Sequence, residues 1–256
     1  MNFRIDAACG SFIGNARNDN EDNFYFNRKH LPQKNKGLKN PIKYSGTTSE
    51  TVLFAVFDGI GGGANGEEAS CCASEVFSEE YKKLDELAIS GKEFMITACQ
   101  KANDEINKIS AQKQFGTMGT TVAALSLSQD EAVACNMGDS KIFRIRNNRM
   151  LQISEDHTDE KIMLSMGIKK KPVLLQYLGV PDTDMAIDPF VAKGDIQDGD
   201  IFILCSDGVT DVLAPDELYC FAKEGAVDDA VKLILAEVNK REGNDNATII
   251  VARLMA

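Results

Sequence analysis

At 256 residues, 43% of them hydrophobic, the chain can bury one sizeable core, and without a linker or internal repeat a single domain over 1–256 is expected. Acidic residues outnumber basic ones 39 to 28, a formal net charge of −11, which disfavours nucleic acid and anionic membrane surfaces as partners. No apolar run approaches the ~18 residues that span a bilayer, and the opening "MNFRIDAACG" has no apolar leader segment, so a soluble cytoplasmic monomer is the expectation.

Residues 3–13 and 23–26 read as strands joined by the polar "GNARNDNED". The stretch from Leu31 to Ser49, within a basic insertion over 28–50, is rich in Pro, Gly, Asn and Lys and reads as a loop. Its Lys34, Lys36, Lys39 and Lys43 fit a solvated face better than a docking surface. Next, "TVLFAVF" has the length and β-branched content of a buried strand. It runs into "DGIGGGANGEEAS", where Gly61, Gly63 and Gly66 match the G-x-G-x-x-G spacing of a dinucleotide loop. Asp58 before that loop and Glu67 and Glu68 in the following helical turn would repel a pyrophosphate. Residues 66–84 and 92–112 also read as two consecutive helices, where a dinucleotide fold needs a second strand. A nucleotide-binding module is therefore disfavoured, and the glycines need another role.

Four strand candidates follow, "GTTVAALSL", "EAVACNM", "KIFRIR" and "MLQIS", and the short turns between them predict antiparallel pairing. A helical pattern over Thr158–Met166 leads into an irregular segment with Pro172, Pro181 and Pro189, and then to the strand "DIFILCS". Val227, Ala230, Val231, Ile234, Leu235 and Val238 repeat at helical spacing, and "ATIIVARL" reads as a last strand. Helices and strands in blocks predict an α+β layered fold. The seven cysteines lack C-x-x-C spacing and sit mostly in apolar segments, which suits buried reduced thiols. His30 and His157 are the only histidines, too few for a histidine-rich zinc site.

Three strand candidates end in aspartate, at Asp58, Asp139 and Asp207, while Asp245 precedes its strand. Antiparallel neighbours start where others end, so all four can share one rim, with Glu21 and Asp22 brought nearby by the turn after the first strand. A single Asp-Gly after a strand is ordinarily only a turn. Repeated at one edge, the aspartates would repel one another unless a cation lay between them, and an all-oxygen donor set suits Mg²⁺ or Mn²⁺. Gly59 would let the backbone approach such an ion and offer its carbonyl, and Gly61 to Gly63 would permit the sharp exit toward the helix.

In this order "GNARNDNED", "FDGIGG", "GTT", "NMGDS", "EDHT", "CSDGVTD" and "GNDNAT", spread over residues 14–248, resemble the motifs of the metal-dependent protein phosphatases, type 2C, in their bacterial serine/threonine form. The resemblance implies a four-layer α-β-β-α sandwich of two packed antiparallel sheets flanked by helices, with a helix plus flap subdomain over about 158–190 that tunes substrate access. It implies hydrolysis of phosphoserine and phosphothreonine in proteins phosphorylated by a serine/threonine kinase. Two Mn²⁺ or Mg²⁺ ions are implied, and a third, weaker one. Asp58 resembles the carboxylate bridging the pair, with the Gly59 carbonyl on one ion and Asp22 nearby as its direct or water-mediated ligand, Asp207 and Asp245 on the other, and Glu21 holding metal-bound water. Asp139 with Asp207 resembles the third site, and Arg17 the phosphate-gripping arginine, so that Arg17, Asp58 and Asp207 are the expected catalytic residues. Asn246 is expected to orient the Asp245 region. Ile60 stands where relatives outside the bacterial group carry a histidine, and Gly63 where bacterial loops often do, which leaves leaving-group protonation to metal-bound water or His157. A noncatalytic metal-binding member serving as an interaction module is the alternative.

Overall fold

The computed structural model of the protein describes residues 2–60, 65–87, 90–114, 118–168, 170–181 and 185–256. Strands β1 (Arg4–Phe12), β2 (Asn23–Phe26), β3 (Ile42–Thr47), β4 (Val52–Phe57) and β5 (Gly59–Ile60) come first, then helices α1 (Gly66–Leu87) and α2 (Gly91–Lys113). After them run β6 (Gly119–Thr120), β7 (Val122–Ser128), β8 (Glu131–Met137), β9 (Lys141–Arg146), β10 (Arg149–Gln152) and α3 (Glu160–Ser165). The remainder is β11 (Phe190–Asp195), β12 (Ile201–Cys205), α4 (Asp207–Thr210), α5 (Pro215–Lys223), α6 (Val227–Lys240) and β13 (Ala247–Met255).

The strands divide into two large antiparallel sheets, one ordered β10-β9-β12-β13-β1-β3 and the other β11-β8-β7-β4-β2, with β5 and β6 pairing separately. Side chains alternate across a strand, so a strand covered on both faces must be apolar throughout. That is the case for β4, buried at every position. Val52, Phe54 and Val56 face the first, six-stranded sheet and meet Ile5, Phe202, Ile250 and Leu254 there. Leu53, Ala55 and Phe57 point the other way, against Phe77, Phe94, Met95 and Ile106 of α1 and α2. The first sheet is covered in turn on its outer face, where Ala8, Ile203 and Val251 pack on Leu218, Val231 and Ile234 of α5 and α6. The result is the four-layer order of helices, sheet, sheet and helices. Gly10 of β1 is needed for this closeness, since a Cβ there would lie 2.6 Å from both Val231 and Leu235 of α6.

Several elements depart from the sequence reading. Ile42–Thr47, expected as loop, is an edge strand pairing with β1 from Arg4↔Thr47 to Cys9↔Ile42. Its residues alternate between half-buried and exposed, so polar side chains dominate and the strand pattern is faint. Likewise β11 lies in the stretch read as irregular and pairs with β8 at a sheet edge. The close spacing of strands predicts pairing correctly for β7 with β8 and for β9 with β10, but β8 and β9 belong to different sheets. The turn between them carries Gly138 at φ +96°, a conformation that favours glycine. Helices α4 and α5 are additional. Gly61, Gly62 and Gly63 lie outside the described residues, and so does their expected turn.

Where β9 ends, Arg146 donates from Nε and Nη2 to both carboxylate oxygens of the fully buried Asp200, at 2.7 and 2.6 Å, and from Nη1 to Asp195 at 3.1 and 3.0 Å. This fork joins β9 to the turn between β11 and β12. Arg146→Ala would leave a buried carboxylate without its counter-charge, and chemical denaturation should show a loss of about 3 kcal/mol.

Candidate metal centre and phosphate-binding cleft

Strand polarity brings the carboxylates together. β4 and β8 are each antiparallel to β7 and therefore parallel to each other, which places Asp58 and Asp139 at the same end of one sheet. β12 runs antiparallel to β13 with Cys205 opposite Ile249, so Asp207 just past one strand lies beside Asp245 just before the other. Asn23 pairs with Phe57, bringing Glu21 and Asp22 to the same rim. Both sheets thus contribute to one cleft of ≈ 520 Å³ whose walls include Arg17, Glu21, Asp58, Gly59, Asp139, Asp207 and Asp245. Seven of the eight expected site residues line it. The eighth, Asp22, lies just beneath, 1% exposed.

The motifs between the acids fix their positions. Asp58 is clamped by its backbone: its N–H donates to Thr121 Oγ1 (3.0 Å), and its carbonyl accepts from the Thr121 N–H (2.9 Å) and Thr120 Oγ1 (2.8 Å). That is the structural work of "GTT". Ser206 Oγ donates to Asp22 Oδ2 at 2.8 Å and accepts from the Thr248 N–H at 2.9 Å, tying Asp22 to the strand pair that carries Asp207 and Asp245. Asn246, expected to orient Asp245, reaches further. Its Oδ1 accepts from the Glu21 N–H at 2.8 Å, and its Nδ2 donates to the carbonyls of Ile13 (2.7 Å) and Asp19 (3.1 Å). Asn246 therefore pins the Arg17–Asp22 turn as a unit. Gly59 admits no side chain, since a Cβ there would lie 2.5 Å from the Glu21 carbonyl oxygen.

Electrostatics reports how closely the acids sit. Burial, and then the charges of Asp207, Asp22, Asp139 and Asp245, push the Asp58 carboxyl well above its ordinary range. Asp139 is raised to about 6, by burial first and by Asp207 second. Asp22 is raised to about 7, mainly by burial; the Ser206 and Thr248 hydroxyls pull it back and Asp207 and Asp245 push it up. Burial likewise raises Glu21, against the opposing pull of Arg17.

Two cations of the chain itself meet this charge. Arg17 Nη2 contacts Asp245 Oδ2 at 2.9 Å, and Lys171 Nζ contacts Asp207 Oδ2 at 2.9 Å and Asp211 Oδ2 at 3.4 Å. Burial opposes the Lys171 charge, and the two aspartates more than offset it. Among the described residues no three acidic, histidine or cysteine side chains close on one point. The rim is open, with Asp207 and Asp245 turned toward Lys171 and Arg17. The donor set nonetheless fits a hard divalent cation. It consists wholly of oxygens, it is strained by like charge, and Asp22 Oδ1 is buried without a hydrogen-bond partner.

His157 is not among the residues lining the cleft. Its backbone bonds to the Gly138 carbonyl at 3.0 Å, its Nδ1 is buried without a partner, and burial lowers its pKa. Ile60 does line the cleft, as do Lys171, Pro172, Val173, Leu174 and Tyr177 from the segment after α3. Among the described residues, Lys171 is the one charged member of the cleft lining that the sequence did not single out. Its only signal was a run of lysines before a proline.

The sequence profile of the Protein phosphatase 2C family matches residues 42–246. A serine/threonine phosphatase of Listeria innocua is 29% identical over 214 residues, covering 78% of this chain and 83% of its own. The protein phosphatase PhpP of Streptococcus pneumoniae is 23% identical over 255 residues, covering 94% of each chain. Among solved structures, the Mycobacterium tuberculosis serine/threonine phosphatase PstP superposes with a TM-score of 0.79 at 22% identity, covering 99% of this chain and 100% of that one. A second structure, of the PstP catalytic domain in complex with two manganese ions, gives 0.77 at 22% identity and covers 100% of both chains.

Two outcomes follow from the charges. Asp139 and Asp22 titrate above the ordinary carboxylate range in the folded chain, so their stabilising effect is complete at low pH and is lost as pH rises through about 6 to 7. In chelator the thermal midpoint should therefore fall between pH 5 and pH 8, and saturating Mn²⁺ should abolish that fall. Lys171→Met removes a competitor for Asp207, and titration calorimetry should show Mn²⁺ binding about five-fold tighter, the equivalent of about 1 kcal/mol.

Proposed function

Because the chain belongs to the protein phosphatase 2C family, we propose that its acidic cleft hydrolyses phosphoserine and phosphothreonine esters in proteins, with Mn²⁺ or Mg²⁺ as cofactor. It is a metal-dependent protein-serine/threonine phosphatase. The observation that carries this reading is the meeting of Glu21, Asp58, Asp139, Asp207 and Asp245 with Arg17 on one cleft, drawn from both sheets.

Asp58, Asp22 and the Gly59 carbonyl would hold one ion, Asp207, Asp245 and Asp58 the second, and Asp139 with Asp207 a third. Bound there, such ions supply Lewis acidity and bring the pKa of water toward ~7. The chain's own groups do the rest. Thr120 and Thr121 keep the Asp58 backbone immobile. Ser206 orients Asp22, and Asn246 holds the backbone of Glu21 where that residue lines the cleft. Arg17 is 44% exposed and, among the described residues, pairs with Asp245 through Nη2. Its planar fork can exchange Asp245 for two oxygens of a phosphoryl group. The apolar Pro172, Val173 and Leu174 wall keeps bulk water from one side.

Among the described residues no cysteine or histidine lines the cleft, so no side-chain nucleophile of those types is within reach. The six buried cysteines, Cys9, Cys71, Cys72, Cys99, Cys135 and Cys205, are core thiols, and Cys220 is exposed elsewhere. No described helix is long and apolar enough to cross a membrane. That the chain works as a cytoplasmic monomer on the products of a serine/threonine kinase is part of this proposal. The noncatalytic alternative gains no support, since every expected ligand position carries its oxygen donor.

Release of phosphate from a phosphothreonine peptide should require Mn²⁺ or Mg²⁺ and stop on addition of chelator. Asp58→Ala and Asp207→Ala should each lower kcat by on the order of 100-fold or more, since even the outer partners of a metal site are worth about 10–100-fold. Arg17→Ala should chiefly raise KM. Full activity in chelator would overturn the reading.

A further inference from the structure

The insertion over 28–50 reads in sequence as a solvated loop, and Lys34, Lys36 and Lys39 are exposed. Its middle, however, is fastened down. The buried Asn23 side chain holds Leu31 by both its groups, accepting from the Leu31 N–H at 2.9 Å and donating to the Leu31 carbonyl at 3.0 Å. Farther on, the Leu38 N–H donates to the Ser11 carbonyl at 2.8 Å. Gly37 lies so close on β1 that a Cβ there would sit 2.4 Å from the same carbonyl oxygen. Residues 31–38 are thereby fixed behind the Arg17–Asp22 turn, and none of them lines the cleft.

Two amides connect the insertion to that turn. Asn35 Oδ1 accepts from the Gly37 N–H at 2.9 Å, which fixes the end of the Asn35 amide that carries the oxygen, and it accepts from Asn20 Nδ2 at 2.8 Å. Asn20, 1% exposed, therefore presents its nitrogen to Asn35 and its oxygen to the Asp22 N–H, at 3.3 Å. The other partner of Asn20 Nδ2, Ser11 Oγ at 3.0 Å, is a hydroxyl that donates as readily as it accepts, so it leaves the orientation of the amide open. Asn35 makes the choice. Turned over, Asn20 would set an N–H against the Asp22 N–H, and a buried donor would lose its acceptor.

Resting on the phosphatase reading, we propose that Asn35 is a positioning residue of the metal centre, setting through Asn20 where the Asp22 backbone stands. Asn246 holds the same turn from β13, at Glu21 and Asp19. The turn is thus held from two sides, and the insertion supplies the side that reaches Asp22. Lys36 also meets the turn, at Asn18 and Asp19, but its side chain and that of Asp19 are 68% and 73% exposed, where an ion pair contributes little.

Titration calorimetry with Mn²⁺ alone reads the effect without recourse to activity. Asn35→Ala should weaken Mn²⁺ binding about tenfold, the lower end for an outer partner of a metal site. The Mn²⁺ needed for half-maximal p-nitrophenyl phosphate turnover should rise in step, with kcat at saturating Mn²⁺ close to that of the wild type. Asn35→Asp keeps the accepting oxygen and should bind Mn²⁺ at least as tightly as the wild type does. Unchanged Mn²⁺ affinity in Asn35→Ala overturns the inference. So does a loss of that size in Asn35→Asp, because its added negative charge favours the cation. Linkage supplies a reading that needs no variant, since an arrangement that favours the ion must be favoured by the ion to the same extent. In the wild-type protein saturating Mn²⁺ should therefore slow amide exchange at Gly37, and unchanged exchange there overturns the inference even if Asn35→Ala does not fold. Should the wild-type chain bind no Mn²⁺, the phosphatase reading falls and this inference with it; Mn²⁺ binding indifferent to residue 35 removes this inference alone.

Discussion

Mutual repulsion among carboxylates is the constraint on which this structure turns. Asp58 feels Asp207, Asp22, Asp139 and Asp245 at once, an arrangement that opposes folding unless positive charge is supplied. The chain provides some of it, through Arg17 on Asp245 and Lys171 on Asp207. Both cations lie at the mouth, while the deepest acid, Asp22, keeps one oxygen without a partner. The interior of the cluster thus remains short of positive charge even where its rim is neutralised. A site of this kind favours compact divalent cations, because a long side chain cannot reach the floor and a monovalent ion offsets too little charge.

The scaffold answers that constraint with rigidity. Asp58 is held through its backbone by two threonines, Asp22 by a serine fastened to β13, and Glu21 by an asparagine that also caps the turn carrying Arg17. None of these four supporting residues bears charge. They fix the positions of the acids without weakening their demand for a cation, and they explain why short polar motifs accompany each aspartate along the chain.

Much of this was legible in the sequence because both periodicities were strong where burial was strong. The doubly buried β4 and the helices α1, α2 and α6 announce themselves, and the rim argument needed only strand ends and antiparallel logic. Legibility fails at the margins of the sheets. β3 and β11 are edge strands whose stability comes from backbone pairing with a neighbour, and Lys43, Ser45, Lys193 and Asp195 dilute the apolar alternation. The crossing from β8 to β9 is hidden for a different reason, since a tight turn reads alike whether it joins strands of one sheet or passes between two. Lys171 escaped notice because a lysine run near a proline is ordinarily solvated, and only the fold carries it back to Asp207. His157 drew attention as a titratable residue in a matching motif, yet its ring is packed behind the Gly138 turn.

Because Asp58 and Asp139 hang from one sheet and Asp207 and Asp245 from the other, neither sheet alone assembles the acidic cluster. A folding chain with one sheet formed presents only half of the donors, so tight cation capture is deferred until the two halves have met. An ion held by donors from both sheets would act as a late rivet across the seam, distinguishing finished molecules from half-built ones.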